Sequence, residues 1–110
     1  MSEERYLTLA EVKQMLAEEA ESRQLSDMQR KTLDHASRNA KTTPEKTRAL
    51  VAELMELKLG DKSIGEALAV KIADVMPLDE DSVRAVFYKE RLTLDKKQVE
   101  LIIKSVEKYL

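Results

Sequence analysis

A chain of 110 residues is the size of one domain with one core, and its net charge of −2, from 19 basic and 21 acidic side chains, supplies no overall positive field to gather a polyanion. Without cysteine it forms no disulfide, thiolate zinc site, iron–sulfur cluster or cysteine nucleophile, and with His35 as its single histidine it builds neither a histidine-based metal cluster nor a histidine-centred triad. MSEERYLTL has neither the basic flank nor the apolar run of a signal peptide, and no segment approaches the roughly 20 apolar residues that span a bilayer, so a soluble, cytoplasmic protein is expected.

Two glycines and two prolines, with apolar residues recurring three or four apart, predict an all-α fold of about six helices. RYLTL, residues 5 to 9, alternates like a strand but has no second strand to pair with. It reads as the extended lead-in to a helix, or as a strand added to a partner's sheet edge. The first helix runs from about Leu9 to Arg23, with Thr8 and Glu11 as a capping pair and Val12, Met15, Leu16 and Ala20 on one face. Ser26 with Gln29 opens a second, from about Asp27 to Ala40, whose apolar stripe of Met28, Leu33, Ala36 and Ala40 is thin. The first forty residues are therefore less able to form a core than the seventy that follow.

Thr43 and Pro44 start a third helix, since proline is tolerated in a first turn, and Gly60 marks its expected end; Leu50, Val51, Leu54, Met55 and Leu57 are its apolar positions. A fourth, from about Ser63 to Met76, places Ile64, Leu68, Ile72 and Val75 inward and stops at Pro77. The fifth is expected from about Glu80 to Glu90, with Val83, Val86 and Phe87 inward. The sixth, from about Lys96 to Tyr109 behind an Asp95–Gln98 cap, carries Val99, Ile102, Ile103, Val106 and Leu110.

Few side chains suggest chemistry. Asp79, Glu80 and Asp81 are carboxylates of the kind hard cations prefer, but consecutive acids opening a helix satisfy free amides and do not converge on a point. No phosphate-binding glycine loop or nucleophile elbow is present, so no cofactor is expected. Phe87 and Tyr88, adjacent on a helix, point about a hundred degrees apart; Phe87 aligns with Val83 as core, leaving Tyr88 for a rim or for stacking. Lys89 and Arg91, with Arg84 before them and Lys96 and Lys97 after, form one basic neighbourhood, either a solvated face or a phosphate contact.

The segment AVKIADVMP followed by DSVRAVFYKERL, with the closing VEKYL, the earlier LVAELMELKLGD and the N-terminal RYLTLAEV, resembles the archaeal RNA polymerase family that is the counterpart of the fourth subunit of eukaryotic RNA polymerase II. The resemblance covers nearly the whole chain. It implies a non-catalytic polymerase subunit that pairs with the counterpart of the seventh subunit of the eukaryotic enzyme, the two forming a stalk beside the RNA exit path. It also implies that residues 42–110 form an HRDC-like helical domain and that 1–41 form an N-terminal segment contacting this stalk partner. Lys71, Ile72, Ala73, Asp74 and Pro77, then Arg84, Ala85, Phe87, Tyr88 and Lys89, match the family signature; the acid-rich PLDED turn and the Lys62–Gly65 lead depart from its simplest pattern. Ala73 is expected to permit close helix approach, Pro77 to set the turn, and Asp74 with Arg84 to form an ion pair across it.

A weak N-terminal core is what a segment that completes its burial on another chain needs. Tyr6, Leu7, Leu9, Val12, Met15 and Leu16 are therefore expected at the contact with the stalk partner. The rival readings are a free-standing HRDC-like nucleic-acid-binding module, which the balanced charge disfavours, and a small ligand-binding or enzymatic bundle using the acids at 79 to 81.

Overall fold

The structure, a computed structural model, describes residues 6–60, 62–90 and 92–110. Six α-helices are found there: α1 (Leu9–Ser22), α2 (Asp27–Asn39), α3 (Pro44–Glu56), α4 (Glu66–Val75), α5 (Glu80–Val86) and α6 (Lys96–Glu107). The fold is all-α; the one backbone bridge outside helices among these residues joins Leu59 to Lys62.

The helices begin where side-chain oxygens can take up orphan amides. Thr8–Glu11, Ser26–Gln29 and Asp95–Gln98 form complete capping boxes. Thr43 caps α3 with Pro44 in its first turn, and Asp79 caps α5 by accepting from the Ser82 amide at 2.7 Å. Asp79 is thus a cap and Glu80 pairs with Arg84 along the helix. Tyr6 and Leu7 lead into α1 without strand pairing, and Thr8 is extended.

The apolar core is built from α3 to α6 and their connections. Leu50, Val51 and Leu54 of α3 meet Leu68, Ala69, Ile72 and Ala73 of α4, Val83 and Val86 of α5, and Val99, Ile102 and Val106 of α6, with Leu59, Ile64, Phe87 and Leu94 closing it from the loops. Ala73 is fully buried within this cluster. No described residue before Leu50 belongs to this cluster; Ala10, Leu25 and Ala36 are buried separately, within the α1–α2 hairpin region.

Several boundaries and faces differ from expectation. Gly65, itself extended, is the N-cap of α4 rather than part of it, because Leu59 and Lys62 exchange backbone hydrogen bonds of 3.0 and 3.1 Å around Gly60 and the chain turns there before the helix can begin. Gly60, at φ +71°, serves this tight turn, whose first central position needs a positive φ, while α3 has already ended at Glu56. Met76 caps α4 in the left-handed region at φ 50° and ψ 61°, since the proline after it disfavours continued helix. Helix α5 stops at Val86: Phe87 leaves helical geometry and turns inward, and Tyr88 and Glu90 make tighter i→i−3 bonds to Ala85 and Phe87. Tyr88 is therefore on a turn, not a helix. Met55, Val75 and Leu110, expected inward, face solvent.

Candidate partner interface

Where α1 and α2 lie side by side, the lead-in, the middle of α1 and the first half of α2 leave an open apolar groove of about 280 Å³ lined by Leu7, Val12, Met15, Leu16 and Met28, with Glu19, Gln29 and Thr32 along it. The sequence causes it directly. The α1 apolar face is wider than the thin α2 stripe can cover, so Met15 stays 54 % and Met28 72 % exposed. Methionine side chains adapt to irregular partners, and an apolar floor with a polar rim is the composition of a protein-binding surface. Four of the six residues expected at a partner contact, Leu7, Val12, Met15 and Leu16, come together here. Tyr6 is exposed at the start of the lead-in, and Leu9 lies on another cleft with His35, Asn39, Lys41, Asp74 and Val75. Met28, the first residue of the thin α2 stripe, joins them in the groove.

The hairpin is seated on the rest of the molecule by polar contacts. Thr8 and Thr47, both buried, place their hydroxyls 2.8 Å apart. Thr47 spends its proton on the Pro44 carbonyl at 2.8 Å, so Thr8 donates to Thr47 while accepting from the Glu11 amide. Asp74 of α4 accepts the Leu9 amide at 2.7 Å. Arg48 of α3 donates through Nε to Glu11 and through a terminal nitrogen to Glu11 and the Tyr6 carbonyl, and Glu66 accepts the Tyr6 amide. The expected Asp74–Arg84 pair is not made. Asp74 faces the start of α1, whereas Arg84 pairs with Glu80 and donates to the Leu94 carbonyl at 3.1 Å, tying α5 to the chain entering α6. Thr47, Arg48 and Glu11 do not stand out in the sequence as parts of a joint. Thr47 carries the one usable signal, because it falls three residues before Leu50 on the buried face of α3.

These carboxyls titrate in opposite directions. Burial raises Glu11, but hydrogen bonds from Arg48 and Thr8 more than offset it and hold it below its ordinary value of 4.5. Glu53 is likewise lowered: desolvation opposes, and Ser105, Lys108 and Tyr109 outweigh it. Desolvation raises Asp74 above its ordinary 3.8, the Leu9 amide only partly countering it and the Glu11 charge adding to it. A carboxyl raised in the folded state binds protons more readily there than when unfolded, so its contribution is most favourable at low pH and declines as pH rises through the folded value. Asp74→Asn, which keeps an oxygen for the Leu9 amide, is accordingly expected to gain stability relative to the native chain on going from pH 3 to pH 7. Urea midpoints of both proteins at the two pH values check this; a relative loss at pH 7 would contradict it.

The signature residues serve mainly the body. Ile72, Ala73, Pro77 and Phe87 are buried, Asp74 and Arg84 make the contacts above, and Lys71 and Ala85 are exposed. Tyr88 is 84 % exposed, next to exposed Lys89; Lys96 and Lys97, also exposed, open α6. Arg91 lies outside the described residues. Among the described residues no three His, Cys, Asp or Glu side chains gather as a metal site, and no helix is long and apolar enough to cross a membrane.

A small helical chain with an apolar groove of this kind has the surface of an assembly component. The RNA polymerase Rpb4 family matches it over residues 6–110, so the chain belongs to that family. It is 36% identical over 107 residues to the DNA-directed RNA polymerase subunit Rpo4 of Methanocaldococcus jannaschii, an alignment covering 97% of this chain and 86% of that protein.

Proposed function

We propose that this chain is a non-catalytic component of an archaeal DNA-directed RNA polymerase that pairs with the seventh-subunit counterpart to form the stalk and, through it, joins the polymerase core. In that role it supports open-complex formation and the handling of emerging RNA, in the cytoplasm. Residues 1–41 supply the contact with this stalk partner and 42–110 the HRDC-like helical domain. The observation that carries the reading is the exposed Leu7, Val12, Met15, Leu16 and Met28 groove in a chain of the Rpb4 family. Co-expression with the stalk partner tests it: a protein that binds the folded form must raise its thermal midpoint by mass action. An unchanged midpoint with saturating partner would overturn it.

A weaker, secondary contact with RNA is favoured by Tyr88, whose exposed ring adjoins Lys89 in a chain whose Lys96 and Lys97 are also exposed. Changing Lys89 and Arg91 to Glu in the assembled complex should weaken RNA binding and lower the salt-dependence slope by about 2, one for each lost phosphate contact. A salt titration with an unchanged slope removes these residues from the RNA path.

A further inference from the structure

We infer that the α1–α2 hairpin is an arm that undocks from the α3–α6 body as a unit, without opening the core, and that Arg48, Asp74 and the Thr8–Thr47 pair are the latch that sets its seat. This holds whatever chain covers the groove.

The division of forces across the joint leads to this. The apolar cluster that holds α3, α4, α5 and α6 together contains no described side chain of the arm, and the arm's own buried apolar residues are Ala10, Leu25 and Ala36, two of them alanines with a single methyl to bury. Apolar burial is the largest cooperative force in a fold, so a segment that shares little of it opens at lower free energy than the rest. What crosses the joint instead is polar and directional. Asp74, in the last turn of α4, receives the first amide of α1, so one helix supplies a cap that the other helix's own sequence does not. Glu11 has two tasks at once: its carboxylate accepts the Thr8 amide to complete the capping box of α1 and is also gripped by Arg48 from α3. The fold of the arm's first turn and its docking on the body therefore share one carboxylate. The hydroxyl pair beneath it is directional too, since Thr47 is committed to Pro44 and Thr8 must donate. Bonds of this kind hold a geometry tightly but contribute little once misaligned, because water replaces them. An arm held this way is either seated or released.

Hydrogen exchange on the full chain, read by mass spectrometry, tests the inference. Arg48→Ala combined with Asp74→Ala should speed exchange across 9–22 and 27–39 at least about tenfold while leaving α3, α4 and α6 within about twofold of the native chain. Asp74→Asn, which retains the acceptor, should exchange no faster than native. Acceleration of arm and body by a common factor, or an arm unaffected by the double change, would overturn the inference. A second arm of the experiment holds even where the double variant folds poorly. With hydroxyls 2.8 Å apart, and C–S bonds longer than C–O, Thr8→Cys with Thr47→Cys brings two sulfurs to near bonding distance. Oxidation of that variant should slow arm exchange at least about tenfold relative to its reduced form and leave the body within about twofold. An arm that exchanges equally in both forms would sink the idea.

Discussion

Replacing Leu7 and Met15 together by aspartate is expected to abolish co-purification with the seventh-subunit counterpart while the chain stays folded. Both side chains open onto the α1–α2 groove and neither belongs to the α3–α6 core, so the folded chain loses little. The complex loses much. Two apolar side chains worth roughly 1.5–3 kcal/mol each when buried are removed, and two carboxylates must be desolvated at an apolar contact. Since about 1.4 kcal/mol is tenfold in affinity, a loss of at least about a hundredfold is expected. Undiminished pairing would refute the interface. Leu9→Asp is the informative contrast. Leu9 lies on the other cleft beside Asp74, so a carboxylate there disturbs the seat of α1 through like-charge repulsion and should lower stability more than it lowers partner affinity.

Ile72→Ala is expected to destabilise the chain by about 3 kcal/mol, within the roughly 2–5 kcal/mol range for emptying a buried aliphatic site. Ile72 is fully buried at the middle of the cluster that joins α3, α4, α5 and α6, where close-packed neighbours cannot close the cavity. For a domain of this size such a loss lowers the thermal midpoint by more than about 10 °C. Lys71→Ala, one residue away and exposed, should change stability by less than about 0.5 kcal/mol. Thermal and urea unfolding of the two variants check the pair, and similar effects from both would show that α4 does not organise the core.

Local chemistry makes much of the fold legible. The caps at Thr8, Ser26 and Asp95 are short-range patterns between residues three apart, Thr43 is marked by the proline that follows it, and each starts its helix where the pattern predicts. The end of α5 is not legible because no glycine or proline marks it. The inward pull on Phe87 and the Arg84 bond to Leu94, both tertiary effects, end the helix there. Gly65 misleads for the opposite reason: it reads as a tolerated interior glycine, yet it is the cap of α4, and only the Leu59–Lys62 turn decides that.

The candidate site is half legible. Periodicity places Val12, Met15 and Leu16 on one face, but Met28 reads only as one position of the thin α2 stripe until the α1–α2 packing shows it beside them. The joint is the least visible part. Glu11 and Arg48 are separated by 37 positions and Leu9 and Asp74 by 65, and no local pattern links such residues. Nearness in sequence points Asp74 across the Pro77 turn to Arg84, when the amide it serves belongs to the start of α1.

If the α1–α2 groove is apolar surface reserved for another chain, hydrogen exchange of the full chain with and without the saturating stalk partner tests that most directly. Protection should rise in the peptides spanning 7–19 and 27–32. Binding that leaves those peptides unchanged and protects only α5 and α6 would contradict it.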